Sequence, residues 1–153
     1  MSAPRIRPAK RSDVREIKRL LAGYHLPRAD LGRYVDTFLV AEDDEGLAGC
    51  AGLELYGSSA ILRSVAVAER RRGTGLERRL TEEALALARR RGVRRLYLFT
   101  MTAEEFFERF GFRRIHIDEM DQNVRGSREY QMVRRWWPRT PIRPMLLELE
   151  QAP

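Results

Sequence analysis

One junction, between residues 60 and 90, restricts the possible folds more than any other feature of this sequence. An apolar strand over 60–67 runs into the charged loop 69–75, and a long amphipathic helix follows at once. Such a junction points consecutive backbone N–H groups at one spot, at the positive end of the helix dipole. Gly73 and Gly75 let the backbone approach an anion closely. The junction therefore predicts a cradle for a phosphate or pyrophosphate group.

The residues around this junction predict an α+β fold. Strand 60–67 is apolar on both faces apart from Arg63 and Ser64, which indicates a central strand. Because a strand–helix–strand unit favours a parallel crossover, the strand predicted at 93–100 should run parallel to it. Residues 118–141 show no clear pattern. The other predicted strands cover 5–7, 37–41, 47–56, 112–117 and 144–150, and the predicted helices cover 13–22 (with Ser12 as N-cap), 76–92 and 103–110.

Length and composition indicate one domain, residues 1–153, with 43% hydrophobic residues. No apolar run approaches the roughly 18 residues of a membrane span, and the N-terminus shows no secretory signal, so we expect a cytoplasmic protein. Cys50 is the only cysteine, which excludes an intramolecular disulfide and a cysteine-rich metal site. We predict no metal and expect Cys50 to be a buried small hydrophobe rather than a nucleophile.

The net charge of +7 argues for a local anionic ligand more than for a nucleic acid. Of the 29 basic residues only Lys10 and Lys18 are lysines, and the arginines are spread among 22 acidic residues along the whole chain. A solvated surface is the better interpretation of such a distribution. A polyanion-associated substrate stays open as an alternative.

Two well-known phosphate loops do not fit the junction. The sequence has no Gly-x-x-x-x-Gly-Lys-Ser/Thr run, so it is not a P-loop NTPase. Gly73-x-Gly75 matches the start of a dinucleotide fingerprint, but Glu77 and Arg78 stand where a third glycine belongs. The antiparallel hairpins ahead of the loop are also wrong for a Rossmann unit.

Two separate motifs resemble the GCN5-related N-acetyltransferase (GNAT) family. Arg70-x-x-Gly73-x-Gly75 after an apolar strand is similar to that family's acetyl-CoA loop, and Phe110-Gly111-Phe112, about 35 residues further on, is similar to its second recurrent mark. The resemblance implies a GNAT fold: a mixed, mostly antiparallel sheet of about six or seven strands, helices on both faces, and a central parallel pair that splays apart. It also implies acetyl-CoA as cosubstrate.

A narrower resemblance lies in residues 96–112. Leu96-Tyr97-Leu98-Phe99-Thr100-x-Thr102-Ala103 and the following Phe106-Phe107 are similar to the amino-acid N-acetyltransferase branch, which includes N-acetylglutamate synthases and small acetyltransferases associated with arsenic resistance. This implies a primary amine of amino-acid size as acceptor. Two departures stand out, since the family usually has a small residue at position 77, here Glu77, and often a tyrosine acid at position 107, here Phe107.

The resemblance also assigns roles to individual residues. The pantetheine arm would pair with the backbone of the central strand, and the Val65 N–H would serve the developing oxyanion. Phe107 would lie near the thiol end of the cofactor. The residues predicted to bind acetyl-CoA are Val65, Ala66, Val67, Arg70, Arg71, Arg72, Gly73, Thr74, Gly75, Leu76 and Phe107.

Several residues are candidates for contact with the acceptor or for catalysis, and two of them have an alternative interpretation. Glu54, a lone carboxylate in an apolar strand, is a candidate general base, with an outward-facing strand residue as the alternative. Arg63 is a candidate for binding an acceptor carboxylate, and an ion pair with Glu54 is the alternative. Thr100 and His25 are further candidates for contact with the acceptor.

The sequence therefore predicts an acetyl-CoA-dependent N-acetyltransferase for a small amino acid or similar compound, acting by direct attack in a ternary complex. A catalytically weak acyl-CoA-binding module and a protein acetyltransferase are the alternatives. Trp136-Trp137 fits a pocket wall, an interface anchor or the core, and a homodimer stays possible.

Overall fold

A computed structural model of the protein describes residues 3–24, 26–28 and 30–150. The chain divides into two compact units, Met1–Glu54 with Leu62–Leu87 and Leu55–Ile61 with Ala88–Pro153. Among the described helices, none has both the length and the apolar character that a membrane crossing requires. The assignment of residues 1–153 to one domain stays a prediction.

Within the described residues, seven strands form one mixed sheet in the order β1-β2-β3-β4-β5-β7-β6. The pairs β1–β2, β2–β3, β5–β7 and β6–β7 are antiparallel, and β4 pairs with β5 in parallel. Both the fold and the parallel central pair confirm the prediction from sequence. The strands are β1 Arg5–Pro8, β2 Phe38–Asp43, β3 Gly46–Tyr56, β4 Ser59–Val67, β5 Arg95–Thr100, β6 Arg113–Arg114 and β7 Arg143–Glu148.

The helices are α1 Val14–Ala22, α2 Leu31–Tyr34, α3 Leu76–Arg90, α4 Glu104–Glu108 and α5 Arg128–Trp136. Short 3-10 turns lie at Arg11–Asp13, Val35–Thr37, Glu69–Arg71, Ile117–Glu119 and Gln122–Val124. The long helix α3 follows the predicted glycine loop directly, as expected.

Ser12 does not cap α1, and this prediction was wrong. Ser12 lies inside the 3-10 turn that precedes the helix. Asp13 takes the organising role instead, because its carboxylate accepts the Lys10 N–H at 2.7 Å and binds Arg7 at 2.8 Å. The partner of Asp13 lies on another element, so helical spacing alone could not show it.

Each unit has its own apolar core. In the first unit, Ile17 and Leu21 of α1 pack with Phe38, Val40 and Cys50 of the sheet. In the second unit, the core residues are Ile61, Tyr97, Ile115, Ile117, Met120, Val124, Tyr130, Val133 and Leu146. The first core carries the end of β4, from which the glycine loop begins.

Candidate functional site

The end of β4 leaves regular strand geometry just before the glycine loop. Ser64 has a φ of 61°, a left-handed conformation that is uncommon for a residue other than glycine. The parallel ladder with β5 is formed by Ser59–Ile61, near the start of β4. The Ala68 N–H donates to the Ala48 carbonyl of β3 at 2.7 Å. The backbone of Val65 therefore follows directly on a local distortion of the central strand.

The glycine loop offers only part of its backbone to a ligand. The amides of Arg71, Arg72 and Thr74 donate to carbonyls within the loop or just before it. Among the described residues, the amides of Gly73 and Gly75 have no backbone acceptor. The prediction that consecutive backbone N–H groups of this junction point at one ligand is therefore restricted to fewer amides.

Both loop glycines are required by the backbone conformation. Gly73 and Gly75 have φ values of +74° and +84°, where side chains are strained, and a Cβ at either position would meet nothing within 4 Å. Leu76 begins α3, so its amide belongs to the first turn, which has no partner within the helix. Open space, unpaired amides and a helix N-terminus fit a pyrophosphate group.

Two of the three loop arginines are bound to Asp43 at the end of β2. Arg70 lies 2.7 Å from one carboxylate oxygen, and Arg71, which is buried, donates to the other at 2.9 Å. Arg70 also contacts Glu45 at 3.1 Å. Hydrogen bonding from Arg70 lowers the pKa of Asp43 to about 2. The charge of Arg70 is therefore already paired within the fold, and its contact with the cofactor stays a prediction.

Arg72, which is exposed, binds Tyr24 instead of Asp43. Its Nε donates to the Tyr24 hydroxyl at 3.1 Å, and its guanidinium carbon lies 4.9 Å from the centre of the Tyr24 ring. The same hydroxyl donates to the Val67 carbonyl at 2.6 Å. Sequence analysis missed Tyr24, and no local pattern marks it, because Val67 lies 43 positions away.

Glu54 and Arg63 form the ion pair that was the alternative to a substrate role for Arg63, and Glu54 is buried and does not face outward. Arg63 Nη1 lies 2.6 Å from the Glu54 carboxylate, and their side chains are 10% and 2% exposed. Arg63 also donates to the Ser64 hydroxyl at 3.0 Å and to the Pro27 carbonyl at 3.1 Å. Since the guanidinium charge is matched inside the unit, the geometry favours a structural pair.

Cys50 is fully buried, as predicted. Its thiol donates to the Ser64 carbonyl at 3.1 Å. Burial raises the pKa of the thiol to about 12. At neutral pH the thiolate is therefore absent, which argues against a covalent role.

Phe107 and Thr100 lie in the second unit. Phe107 is buried, with ring centroids 5.0 Å from Phe106 and 5.8 Å from Phe112. The hydroxyl of Thr100 accepts the Ala103 N–H at 3.0 Å. Their roles toward cofactor and acceptor stay predictions.

The two tryptophans take different environments. Trp136 is 59% exposed, whereas Trp137 packs against the core of the second unit and donates to His116 at 3.2 Å. His116 itself is exposed. His25, the remaining acceptor candidate, lies outside the described residues.

A mixed sheet whose central strand leads through a glycine loop into a helix N-terminus fits a class of enzymes that bind a phosphate-bearing cofactor. The family model of the acetyltransferase (GNAT) domain matches residues 35–114 of this chain. The chain belongs to this family of N-acetyltransferases, and acetyl-CoA is its cosubstrate.

Relatives and solved structures support the assignment. An uncharacterized N-acetyltransferase from Chlorobaculum tepidum, CT2212, is 30% identical over 127 residues, which is 78% of this chain and 81% of that protein. An amino-acid acetyltransferase of Ralstonia nicotianae is 31% identical over 103 residues. That match covers 66% of this chain but only 23% of the larger protein.

Two crystal structures show the same fold. Rv2747 from Mycobacterium tuberculosis, in complex with CoA and NLQ, has a TM-score of 0.78 and 28% identity over 96% of this chain and 100% of that chain. The N-acetylglutamate synthase of Neisseria gonorrhoeae, complexed with coenzyme A and N-acetyl-glutamate, has a TM-score of 0.81. It is 22% identical, and the likeness covers 99% of this chain and 36% of that one.

Proposed function

We propose that this enzyme transfers an acetyl group from acetyl-CoA to the primary amine of a small amino acid or a similar compound. The similarity to an amino-acid acetyltransferase, at 31% identity, is the observation that carries this substrate class. Direct attack of the amine in a ternary complex is the proposed route. The buried Cys50 thiol, with its raised pKa, supports it.

In this proposal the glycine loop holds the phosphates of acetyl-CoA. The unpaired amides of Gly73 and Gly75, the first amide of α3 at Leu76, and the guanidinium of Arg72 are the donors. Arg70 and Arg71 act indirectly, since their bonds to Asp43 hold the turn that precedes the glycines. The cofactor supplies a thioester, which is the acetyl donor.

The Val65 N–H is the proposed donor to the oxygen that gains negative charge during transfer. Ser64, with its left-handed backbone, sets the direction of the chain just before this amide. One such preorganised donor contributes about 3 kcal/mol to stabilising the transition state. A free thiol has a pKa of about 8.5, so the leaving thiolate needs no strong acid, and Phe107 at the family's tyrosine position is tolerable.

The ion pair between Glu54 and Arg63 changes which residues we propose for contact with the acceptor. We assign Glu54 and Arg63 to supporting the distorted part of β4, because Arg63 bridges Glu54 and the Ser64 hydroxyl. The general base and the group that binds an acceptor carboxylate are then sought elsewhere. Among the earlier candidates, Thr100 and His25 stay proposals for acceptor contact.

The test is a screen of free amino acids and amino-acid analogues, detecting the CoA thiol that each releases from acetyl-CoA. We expect release with a restricted set of primary amines and none with their N-acetylated forms. A Gly75→Asp variant serves as the matched blank.

Two results would reject the proposed acceptor class. Acetyl-CoA binding without any turnover would favour the catalytically weak module. Turnover with peptides but with no free amino acid would favour a protein acetyltransferase.

A further inference from the structure

Tyr24 connects two parts of the proposed cofactor site that are far apart in sequence. It follows α1, and its hydroxyl reaches the last residue of β4. The hydroxyl donates to the Val67 carbonyl at 2.6 Å and accepts the Val67 N–H at 3.4 Å. It also accepts the Arg72 Nε–H at 3.1 Å. One donor and two acceptor positions are therefore all used.

Arg72 differs from Arg70 and Arg71 in the guanidinium groups that remain available to a ligand. Arg70 and Arg71 are engaged by Asp43. Arg72 binds Tyr24 through Nε, with its guanidinium 4.9 Å from the Tyr24 ring centroid. Within the described ranges, no hydrogen bond or ion pair engages the two Nη groups of Arg72.

We propose that Tyr24 is a positioning residue that holds Arg72 ready for a phosphate group of acetyl-CoA. A free arginine side chain samples many rotamers and loses that freedom on binding. Stacking on the ring and the bond to Nε restrict the side chain before the ligand arrives, and the two Nη groups keep their donors for a phosphate. This inference rests on the proposed role of the glycine loop.

Tyr24→Phe tests the proposal, because it keeps the ring and removes only the hydroxyl. We expect the Kd of acetyl-CoA, measured by calorimetry, to rise about fivefold, as for the loss of one hydrogen bond of ordinary strength. The kcat should change less than twofold. Tyr34→Phe, the same change on α2, is the matched control and should leave the Kd unaltered.

Truncated cosubstrates identify which part of acetyl-CoA Arg72 contacts. S-acetyl-pantetheine lacks the phosphates, so Tyr24→Phe should not weaken the binding of this compound. Acetyl-3′-dephospho-CoA keeps the pyrophosphate and lacks the 3′-phosphate. If Tyr24→Phe still raises the Kd of this compound fivefold, Arg72 binds the pyrophosphate. If Tyr24→Phe leaves that Kd unchanged, Arg72 binds the 3′-phosphate. In an Arg72→Ala background, Tyr24→Phe should cost nothing further.

Several results would overturn the proposal. Tighter binding of both cosubstrates to Tyr24→Phe would mean that Tyr24 competes with pantetheine for Val67. Equal losses for acetyl-CoA and S-acetyl-pantetheine would show a structural role only. Additive losses in the double variant would show that Tyr24 acts independently of Arg72.

Two further variants keep the result decisive. Should Tyr24→Phe fail to fold, Arg72→Lys keeps the charge without the fork, and an unchanged acetyl-CoA affinity there would reject the proposal. Gly75→Asp separates the hypothesis that the glycine loop binds the cofactor from the hypothesis that Tyr24 positions Arg72. Unchanged affinity in that variant rejects the cofactor loop itself, whereas a loss there with none in Tyr24→Phe rejects only the role of Tyr24.

Discussion

Arg63 Nη1 lies 2.6 Å from a carboxylate oxygen of Glu54, on neighbouring strands in the first unit. Both side chains are almost entirely buried. The other guanidinium nitrogens of Arg63 bind the Ser64 hydroxyl and the Pro27 carbonyl. This cation is therefore satisfied without a substrate carboxylate.

Breaking this pair should cost stability. We expect Arg63→Met to lower the free energy of unfolding by about 3 kcal/mol, because it leaves a buried carboxylate without its cation. Urea unfolding measures the change. Arg78→Met removes an exposed pair with Glu82 on α3 and should change stability little.

The same pair also makes a kinetic prediction. Arg63→Lys should reduce turnover of an amino-acid acceptor and of its carboxamide by equal factors. A selective loss for the acceptor with a free carboxylate would restore the substrate role of Arg63 and contradict the structural pair.

Gly75→Asp should weaken acetyl-CoA binding tenfold or more, because it places a carboxylate beside the proposed phosphate site. Gly92→Asp is the matched control. Gly92 also has a positive φ, +75°, and open space for a Cβ, but it follows the opposite end of α3. Calorimetry on both folded variants should show loss of affinity only at position 75, and equal losses would mean that strain alone is responsible.

Asp43→Asn should destabilise the turn that carries Arg70 and Arg71. The pKa of Asp43 is lowered from 3.8 to about 2, first by hydrogen bonding from Arg70. A lowered pKa means that the ionised carboxylate stabilises the fold above about pH 4, and that this contribution disappears as the pH falls toward 2.

Thermal melts between pH 7 and pH 2 check this prediction. The melting temperature of Asp43→Asn should lie below that of the wild type at pH 7, and the gap should close on acidification. Asp44→Asn, at the exposed neighbouring position, is the control and should show no such convergence. A gap that stays constant with pH would contradict the assignment.

Glu77 in the first turn of α3 should oppose cofactor binding. Its negative charge is one of the influences that raise the pKa of Arg72, after the hydrogen bond to Tyr24. Glu77→Gly should therefore tighten acetyl-CoA binding at low ionic strength, and the gain should vanish near 1 M salt, where the Debye length is about 3 Å.

Glu77→Gln separates charge from the loss of a side chain in this test. Both variants should tighten binding if the charge is responsible. An unchanged Kd in both variants at every salt concentration would place the carboxylate away from the phosphates.

Some helices and strands outside the recognised motifs were not predicted correctly from the sequence. Helix α5 went unpredicted because most of its nine residues are polar, and only Tyr130 and Val133 on its narrow apolar face are buried. The Ser127 hydroxyl, which accepts the Tyr130 N–H, was the available signal. The strand predicted at 112–117 is reduced to Arg113–Arg114, since a 3-10 turn begins at Ile117.

The sequence by itself predicted the strand–loop–helix junction, the parallel central pair and the burial of Cys50, and its resemblance to the GNAT family implied the fold and the cosubstrate. The predictions made from the residues depend on local signals, such as apolar periodicity, closely spaced glycines and a strand that leads into a helix. Only the tertiary structure decided which charges meet. Asp43 engages Arg70 from 27 positions away, and Tyr24 reaches Arg72 across 48. Ionic and hydroxyl partners are chosen by distance in space after the chain has folded, and sequence spacing carries no record of that distance.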